Sequence, residues 1–265
     1  MRRRVFNPSA IPFLWLVVFF LVPLIGVVWV SFLTRGSYGE LELPLTLENY
    51  KRVAGFGLLG FDPLYPVILA RSVLIAATTA LLCVLCALPV AFYIAGLSRR
   101  GKTIALTLLV IPFWTNLLVR TYAWQILLGP RLYPSSLAVM IALVCDYLPF
   151  AALPIYASVE RINRELAEAA RDLGAGGWQT FRHGIFPQIR AGLLAGAALV
   201  FLPATGQFVI PDLLGGAKTV LLGNLLQQQF GPSRDWPFGA AIATVSTAIV
   251  LIGLLAQARL SRSAA

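Results

Sequence analysis

One polar stretch interrupts this otherwise apolar chain of 265 residues: EAARDLGAGGWQTFRHGIFP, at positions 168–187. Apolar runs of membrane-spanning length flank it on both sides. With 58% hydrophobic and only 12% charged residues, the composition excludes a soluble domain. The sequence therefore predicts a bundle of membrane-crossing helices with one large polar excursion.

Six apolar stretches each supply the ~20 residues needed to cross the hydrocarbon core. They must be helical, because backbone groups in lipid have to form their hydrogen bonds within the segment. We predict an all-α integral membrane protein, a single domain over 1–265, with spans at about 11–33, 66–96, 103–128, 135–157, 190–214 and 237–258. Prolines within these spans predict kinks or local unwinding, at Pro23, Pro89, Pro112, Pro149, Pro154, Pro203 and Pro211.

The first apolar run could be mistaken for a secretory signal peptide, since arginines at 2–4 precede it. However, the run is too long for the apolar region of such a peptide, and no convincing small-residue cleavage site follows it. We expect an uncleaved first span.

The distribution of charge predicts the orientation. With both termini cytoplasmic, the inner segments hold thirteen Lys or Arg and four acids, whereas the outer loops hold six and five. This asymmetry follows the positive-inside rule and suits anionic inner lipid, so the net charge of +10 requires no nucleic-acid partner. The inner basic residues are Arg2, Arg3, Arg4, Arg99, Arg100, Lys102, Arg161, Arg164, Arg171, Arg182, Arg190, Arg259 and Arg262.

The six spans show no internal repeat. A stand-alone secondary transporter built from inverted repeats would have paired broken helices in two halves. Here the large cytoplasmic loop, 158–189, lies between spans four and five without a counterpart elsewhere. The pattern is that of half a pore, and a stand-alone transporter or channel is the less favoured alternative.

The first part of this loop predicts a short amphipathic helix. Asn163 is suited to cap its N-terminus, with Glu165 in the first turn, and Gly174 is suited to end it in a left-handed conformation. A second helical stretch runs from about Gly177 to Pro187. The apolar stripe of the first helix consists of Ile162, Leu166, Ala169 or Ala170, and Leu173. Such a helix can dock into a partner protein or lie on the inner leaflet.

The order of residues favours docking. Glu168-Ala169-Ala170, with Gly174 four residues later and Pro187 thirteen after that, resembles the EAA loop of binding-protein-dependent ABC importer permeases. IPFWTNLLVRTYAW (111–124), DYLPFAALPIYASVE (146–160), FVIPDLLGG (208–216) and RDWPFGAA (234–241) resemble spermidine/putrescine permease subunits. Two features depart from that family: Gly184 and Phe186 replace the usual Ile and Leu, and the loop at 129–135 is short.

The resemblance implies a six-span type I permease in a bacterial inner membrane, forming half of a polyamine path. Its partners would be a second permease subunit in a heterodimer, two copies of an ABC ATPase that bind ATP and Mg, and an extracytoplasmic substrate-binding protein. The coupling residues would be Glu168, Ala169, Ala170, Arg171, Asp172 and Gly174. Another cargo, such as a phosphonate, an amino compound or a metal chelate, is the alternative.

The chain itself is not expected to be an enzyme or to hold a cofactor. Its nearest approach to a phosphate-binding loop, GGAKT at 215–219, has Ala where the motif requires Gly before Lys. Cys83 and Cys86 have metal-ligand spacing, but no second Cys/His pair completes a site. His183 lies in the cytoplasmic loop, and no nucleophile–base–acid set accompanies it.

A polyamine path needs carboxylates and aromatic faces, and ionisable residues within spans usually face the bundle interior. Asp212 is the first candidate and Asp146 the second, with aromatic partners at Phe208, Trp114, Tyr122 and Trp124. For each there is a structural alternative. Asp146 and Arg120 could neutralise one another, Asp212 could cap a helix break, and the aromatic side chains could anchor the membrane interface.

Overall fold

The computed structural model describes residues 10–37, 39–57, 60–216 and 219–262. The arginines at 2–4 and Lys218, which entered the prediction of orientation, lie outside the described residues, as does Ala217 of the GGAKT string. The chain divides into two compact units. One comprises the described residues up to Val67 together with Leu226–Ile249, and the other comprises Ile68–Leu225 and the described residues from Val250.

The first unit combines an apolar helix with short polar connections. Helix α1 is apolar and exposed all round, as expected of a helix whose surroundings are lipid or other spans. The elements are α1 (Ala10–Val30), the hairpin of β1 (Thr34–Arg35) and β2 (Leu41–Glu42), α2 (Glu48–Val53), the hairpin of β3 (Phe56–Gly57) and β4 (Gly60–Phe61), the end of α11 (Leu222–Phe230) and most of α12 (Trp236–Arg262).

A buried carboxylate organises this unit. The side chain of Asp235 is 4% exposed and pairs with Arg52 Nη1 at 3.1 Å and with Arg35 Nη1 at 3.8 Å. Its Oδ1 also accepts a hydrogen bond from the backbone N–H of Phe238, in the first turn of α12. The guanidinium of Arg52 lies 3.9 Å from the centre of the Phe238 ring. The β1 hairpin and α2 are thereby fixed to the beginning of α12.

The second unit contains the other spans and the polar loop. Its core lies mainly between α6 and α9, where small residues allow the two helices to approach closely. The elements are α3 (Leu64–Gly96), α4 (Arg99–Val110), a 3₁₀ helix (Ile111–Trp114), α5 (Leu117–Leu132), α6 (Ser136–Val159), α7 (Arg164–Asp172), α8 (Gly177–Gln179), a π-helix (Thr180–Ile185), α9 (Phe186–Gly206), α10 (Val209–Leu214), the beginning of α11 and the end of α12.

Five described helices are long and apolar enough to cross a membrane, and a bent pair supplies a sixth. The span predicted at 103–128, with a kink or local unwinding at Pro112, is sharply bent, since Arg99–Trp114 and Leu117–Leu132 meet at 95°. The bend has a local cause. Pro112 cannot donate a backbone hydrogen bond, and Asn116 begins a new helix by accepting the N–H of Leu118 at 2.8 Å.

The C-terminal bound of the span predicted at 190–214 was wrong. Helix α9 ends at Gly206, and α10 is a separate short helix after Gln207 and Phe208. At its other end, α9 continues from the π-helix, so the apolar helical stretch runs over Gly177–Gly206. The break occurs where the side chain of Gln207 replaces the backbone hydrogen bonds that a continuous helix would make.

We predict that Gly192→Ala destabilises the α6–α9 contact by about 1–3 kcal/mol, since overpacking a tight site forces the backbone to shift. A Cβ atom on Gly192 would lie 2.7 Å from the backbone oxygen of Pro154. Thermal unfolding of the detergent-solubilised protein measures the effect. Gly253→Ala is the matched control, because nothing lies within 4 Å of a Cβ there. Equal stability of the two variants would contradict the packing described.

Candidate functional site

The predicted cytoplasmic helix is present as α7, and its two ends are as expected. Asn163 Oδ1 accepts the backbone N–H of Glu165 at 3.0 Å, which confirms the N-cap. Gly174 has φ +84°, and the N–H of Ala175 donates to the carbonyl of Ala170 at 3.0 Å. This is the hydrogen bonding of a Schellman C-terminus, which requires the left-handed residue that glycine supplies.

The apolar stripe of α7 is divided between the protein interior and the surface. Ile162 packs against the core of the second unit. Leu173 is 89% exposed, Leu166 is 54% exposed, and Trp178 at the beginning of α8 is 71% exposed. Three large apolar side chains therefore stand on the surface of the polar loop. We call Leu166, Leu173 and Trp178 the loop's apolar face.

Two of the proposed coupling residues face a cleft beneath the helix. Glu168 and Arg171 line a cavity of about 350 Å³ together with residues from the ends of α3 and α6. Ala169 and Asp172 are exposed, and Ala170 is half-buried. The six residues are thus together on α7 and its C-terminal cap, but Glu168 and Arg171 also have neighbours within their own chain.

One glutamine joins this loop to the fifth span. Gln188 Oε1 accepts the N–H of Asn163 at 2.9 Å, and its Nε2 donates to the carbonyl of Gly184 at 2.7 Å. Gly184, which departs from the family pattern, lies in the π-helix. The beginning of α7 is therefore hydrogen-bonded to the beginning of α9. Sequence reasoning missed this role of Gln188.

Asp146 forms an ion pair with Arg120. This is the structural alternative that the sequence offered to a role of Asp146 in the cargo path. Arg120 Nη2 lies 2.9 Å from Asp146 Oδ1, with side chains only 20% and 9% exposed. Arg120 Nη1 also donates to the carbonyl of Pro112 at 2.5 Å, and the guanidinium lies 5.8 Å from the centre of the Phe113 ring. One arginine thus joins the bend of the third span to α6.

The next residue of α6 contacts the break in the fifth span. Gln207 Nε2 donates to the hydroxyl of Tyr147 at 3.2 Å. Gln207 Oε1 accepts the backbone N–H groups of Phe208 at 3.0 Å and Val209 at 3.2 Å. Gln207 therefore satisfies two donors at the beginning of α10. The sequence offers only a weak signal for this, a helix-breaking Gly206 immediately before a polar residue in an apolar run.

Asp212 lies exposed in the first turn of α10 and borders a cavity of about 210 Å³ together with Pro211, Thr219 and Asn224. The side chain of Gln207, not that of Asp212, accepts the free N–H groups at the break. The alternative that Asp212 caps a break near Gly215 and Gly216 stays a prediction. Phe208, partly exposed, lies at the N-terminus of the same helix.

The other aromatic candidates are not gathered at one place. Trp114 ends the 3₁₀ helix with its side chain 83% exposed, and Tyr122 is half exposed. Tyr122 is two residues from Arg120 and so points away from the ion pair, whereas Trp124 packs against the core. The aromatic residues near Arg120 and Asp146 are instead Phe113 and Phe150, an edge-to-face pair 4.8 Å apart, which sequence reasoning missed.

These features are those of a bundle of membrane-crossing helices with one bent span and one polar loop. Residues 87–265 match the family described as binding-protein-dependent transport system inner membrane component, and the chain belongs to that family. This confirms the resemblance found in the sequence.

Individual relatives extend the match to nearly the whole chain. The chain is 39% identical to the spermidine/putrescine transport system permease protein PotB of Escherichia coli (strain K12) over 266 residues, 94% of each protein. It is 39% identical to the protein of the same name from Haemophilus influenzae, over 93% of this chain and 89% of that protein.

A solved structure shows the same fold. The chain is similar to a chain of a bacterial ABC transporter involved in the import of the acidic polysaccharide alginate, with a TM-score of 0.63 and 13% identity. The match covers 95% of this chain and 92% of that one. At this identity the likeness concerns the fold alone, and it agrees with the predicted ABC importer architecture.

Proposed function

We propose that this chain is the permease subunit of an ATP-driven polyamine importer and forms half of its translocation path. The observation that carries the proposal is the 39% identity to a spermidine/putrescine permease protein over 94% of both chains. The bent third span supports it, because irregular backbone within a membrane is accepted where it is buried in protein or lines a water-filled cavity. Uptake of labelled spermidine or putrescine by the assembled transporter tests it.

The proposed assembly has four kinds of protein. A second permease completes the pore, two copies of an ABC ATPase bind ATP and Mg on the inner side, and a binding protein delivers cargo outside. Both termini and the 158–189 loop lie in the cytoplasm, which the excess of basic residues in the inner segments supports. This chain contributes no nucleotide site of its own, since its GGAKT string lacks the glycine that precedes Lys in a phosphate loop.

The coupling site is α7 together with the loop's apolar face. Large apolar side chains exposed on a polar loop are typical of a protein contact. Glu168, Ala169, Arg171 and Asp172 are all exposed on this helix, and Glu168 and Arg171 also border the cleft. The Gln188 hydrogen bonds then pass a displacement of α7 to α9. Closure of the ATPase pair would move the fifth span in this way.

The cargo contact on this chain is the segment of Phe208 and Asp212. The carboxylate of Asp212 is exposed and next to a cavity, and Phe208 offers an aromatic face on the same short helix. An ammonium group binds well to such a combination, because both the carboxylate and the ring attract a cation. Asp146 is a weaker candidate, since Arg120 already neutralises it.

We predict that Glu168→Lys lowers the maximal rate of uptake about ten-fold, a typical size for a lost coupling free energy. The substitution would reverse the charge beside Arg171 on the helix that is proposed to bind the ATPase. Uptake and membrane insertion are measured together. Glu40→Lys, which makes the same charge change at an exposed outer-loop residue, is the control. Uptake at the wild-type rate in Glu168→Lys would remove this residue from the coupling site.

We predict that Asp212→Asn raises the spermidine concentration for half-maximal uptake roughly five-fold, from the loss of ~1 kcal/mol of ion contact. Co-purification with the partner subunits should be unchanged, because the side chain is exposed. Glu40→Gln serves as the matched loss of an exposed carboxylate. Unaltered uptake kinetics in Asp212→Asn would exclude Asp212 from the path.

A further inference from the structure

Among the described residues the third span is bent and the fifth span ends at Gly206, just before the short helix α10. Consecutive residues of α6 contact both places, which we call the two breaks. Asp146 binds the arginine that reaches the bend of the third span, and Tyr147 binds the glutamine at the break of the fifth. Backbone groups freed at such breaks must be satisfied inside the protein, since lipid offers no partner.

At the first break, the carbonyl of Pro112 accepts the backbone N–H of Thr115 at 3.3 Å and two side-chain donors. It receives the hydroxyl of Thr115 at 2.6 Å and Nη1 of Arg120 at 2.5 Å. The other arm of the guanidinium is engaged by Asp146. Removing either charge would leave its partner buried and unpaired, which is costly in a protein interior. The position of the Arg120 side chain, which contacts the bend, therefore depends on where Asp146 lies.

At the second break, the freed groups are donors. Gln207 Oε1 accepts the N–H groups of Phe208 and Val209, and Gln207 Nε2 is anchored on the hydroxyl of Tyr147. Gln207 therefore determines where α10 begins. Because Phe208 and Asp212 belong to that segment, its placement also sets the direction of the proposed cargo contact.

We propose that Asp146 and Tyr147 form a two-armed clasp that couples the two breaks, with Arg120 and Gln207 as positioning residues for the cargo contact. The cargo contact rests on the proposed function. A rotation or shift of α6 moves both arms, since both are adjacent side chains of one helix. The ring of Phe150, on the same helix, contacts both neighbours: its centre lies 4.8 Å from that of Phe113 and 6.0 Å from that of Tyr147.

The alternative is that each break is held independently and merely keeps the bundle folded. The two accounts differ in the effect of combined substitutions. Independent, well-separated sites give multiplicative effects, whereas members of one network do not. A purely structural role would lower the amount of assembled complex and the maximal rate together. A positioning role raises the half-saturating cargo concentration in complexes that assemble normally.

The test is a double-mutant cycle of Arg120→Lys and Gln207→Ala in the complete transporter, with spermidine as the probe. Lysine keeps the charge for Asp146 but not the planar two-armed geometry that also reaches Pro112. Each single variant should raise the half-saturating concentration about three- to five-fold, the loss of one hydrogen bond. The combined effect should depart from the product of the single effects by about three-fold or more.

Gln188→Ala is the matched control for Gln207→Ala. It also removes a glutamine that satisfies backbone groups, but at the cytoplasmic end of α9. Combined with Arg120→Lys, it should give the product of the single effects. If the effect of the Arg120→Lys and Gln207→Ala double variant also lies within about two-fold of the product of the single effects, the proposed coupling is overturned.

Two further measurements keep the outcome decisive. Where Gln207→Ala prevents assembly, Tyr147→Phe replaces it, since this change deletes only the hydroxyl that anchors Gln207. The same cycle is read in the basal ATPase rate of the complex, which needs no cargo. Absence of spermidine uptake by the wild-type complex would contradict the proposed function, whereas multiplicative effects on the ATPase rate would contradict the clasp.

Discussion

A backbone group within a bilayer must find its hydrogen-bond partner inside the protein, and this constraint governs the whole chain. It makes the apolar stretches helical, and it requires a polar side chain wherever a helix stops at membrane depth. The two interruptions of this chain meet that requirement with Arg120 and Gln207. Both of these side chains contact α6: Arg120 pairs with Asp146, and Gln207 donates to Tyr147. This explains why α6 carries two polar residues within an otherwise apolar core.

Polar contacts also join the fifth span to the polar loop. Gln188 holds the N-cap of α7 against α9, while Gly174 ends α7 and leaves Leu173 exposed. The beginning of α7 is thus hydrogen-bonded to α9, and its C-terminal end is exposed. This arrangement suits the proposed coupling to another subunit, since the polar loop and the fifth span are joined by a hydrogen bond.

Local signals in the sequence predicted local structure well. Asn163 and Gly174 act through their own backbone neighbours, and both ends of α7 are where these residues indicated. Pro112 had indicated the kink of the third span, which has a local cause. The break at Gln207 was missed, because the side chain that holds it reaches Tyr147 of α6 across the bundle. The Arg120–Asp146 pair was foreseen as an alternative, since two opposite charges within apolar spans favour one another. The role of Gln207 had no comparable signal.

The most direct test of the account is the ATPase rate of the complete transporter in liposomes, measured with and without the binding protein and spermidine. The account predicts that both together raise the rate, and that the increase is lost when this permease is omitted from the complex. It also predicts spermidine uptake only while ATP is supplied on the cytoplasmic side. Transport of spermidine by this chain alone, without an ATPase, would contradict the account.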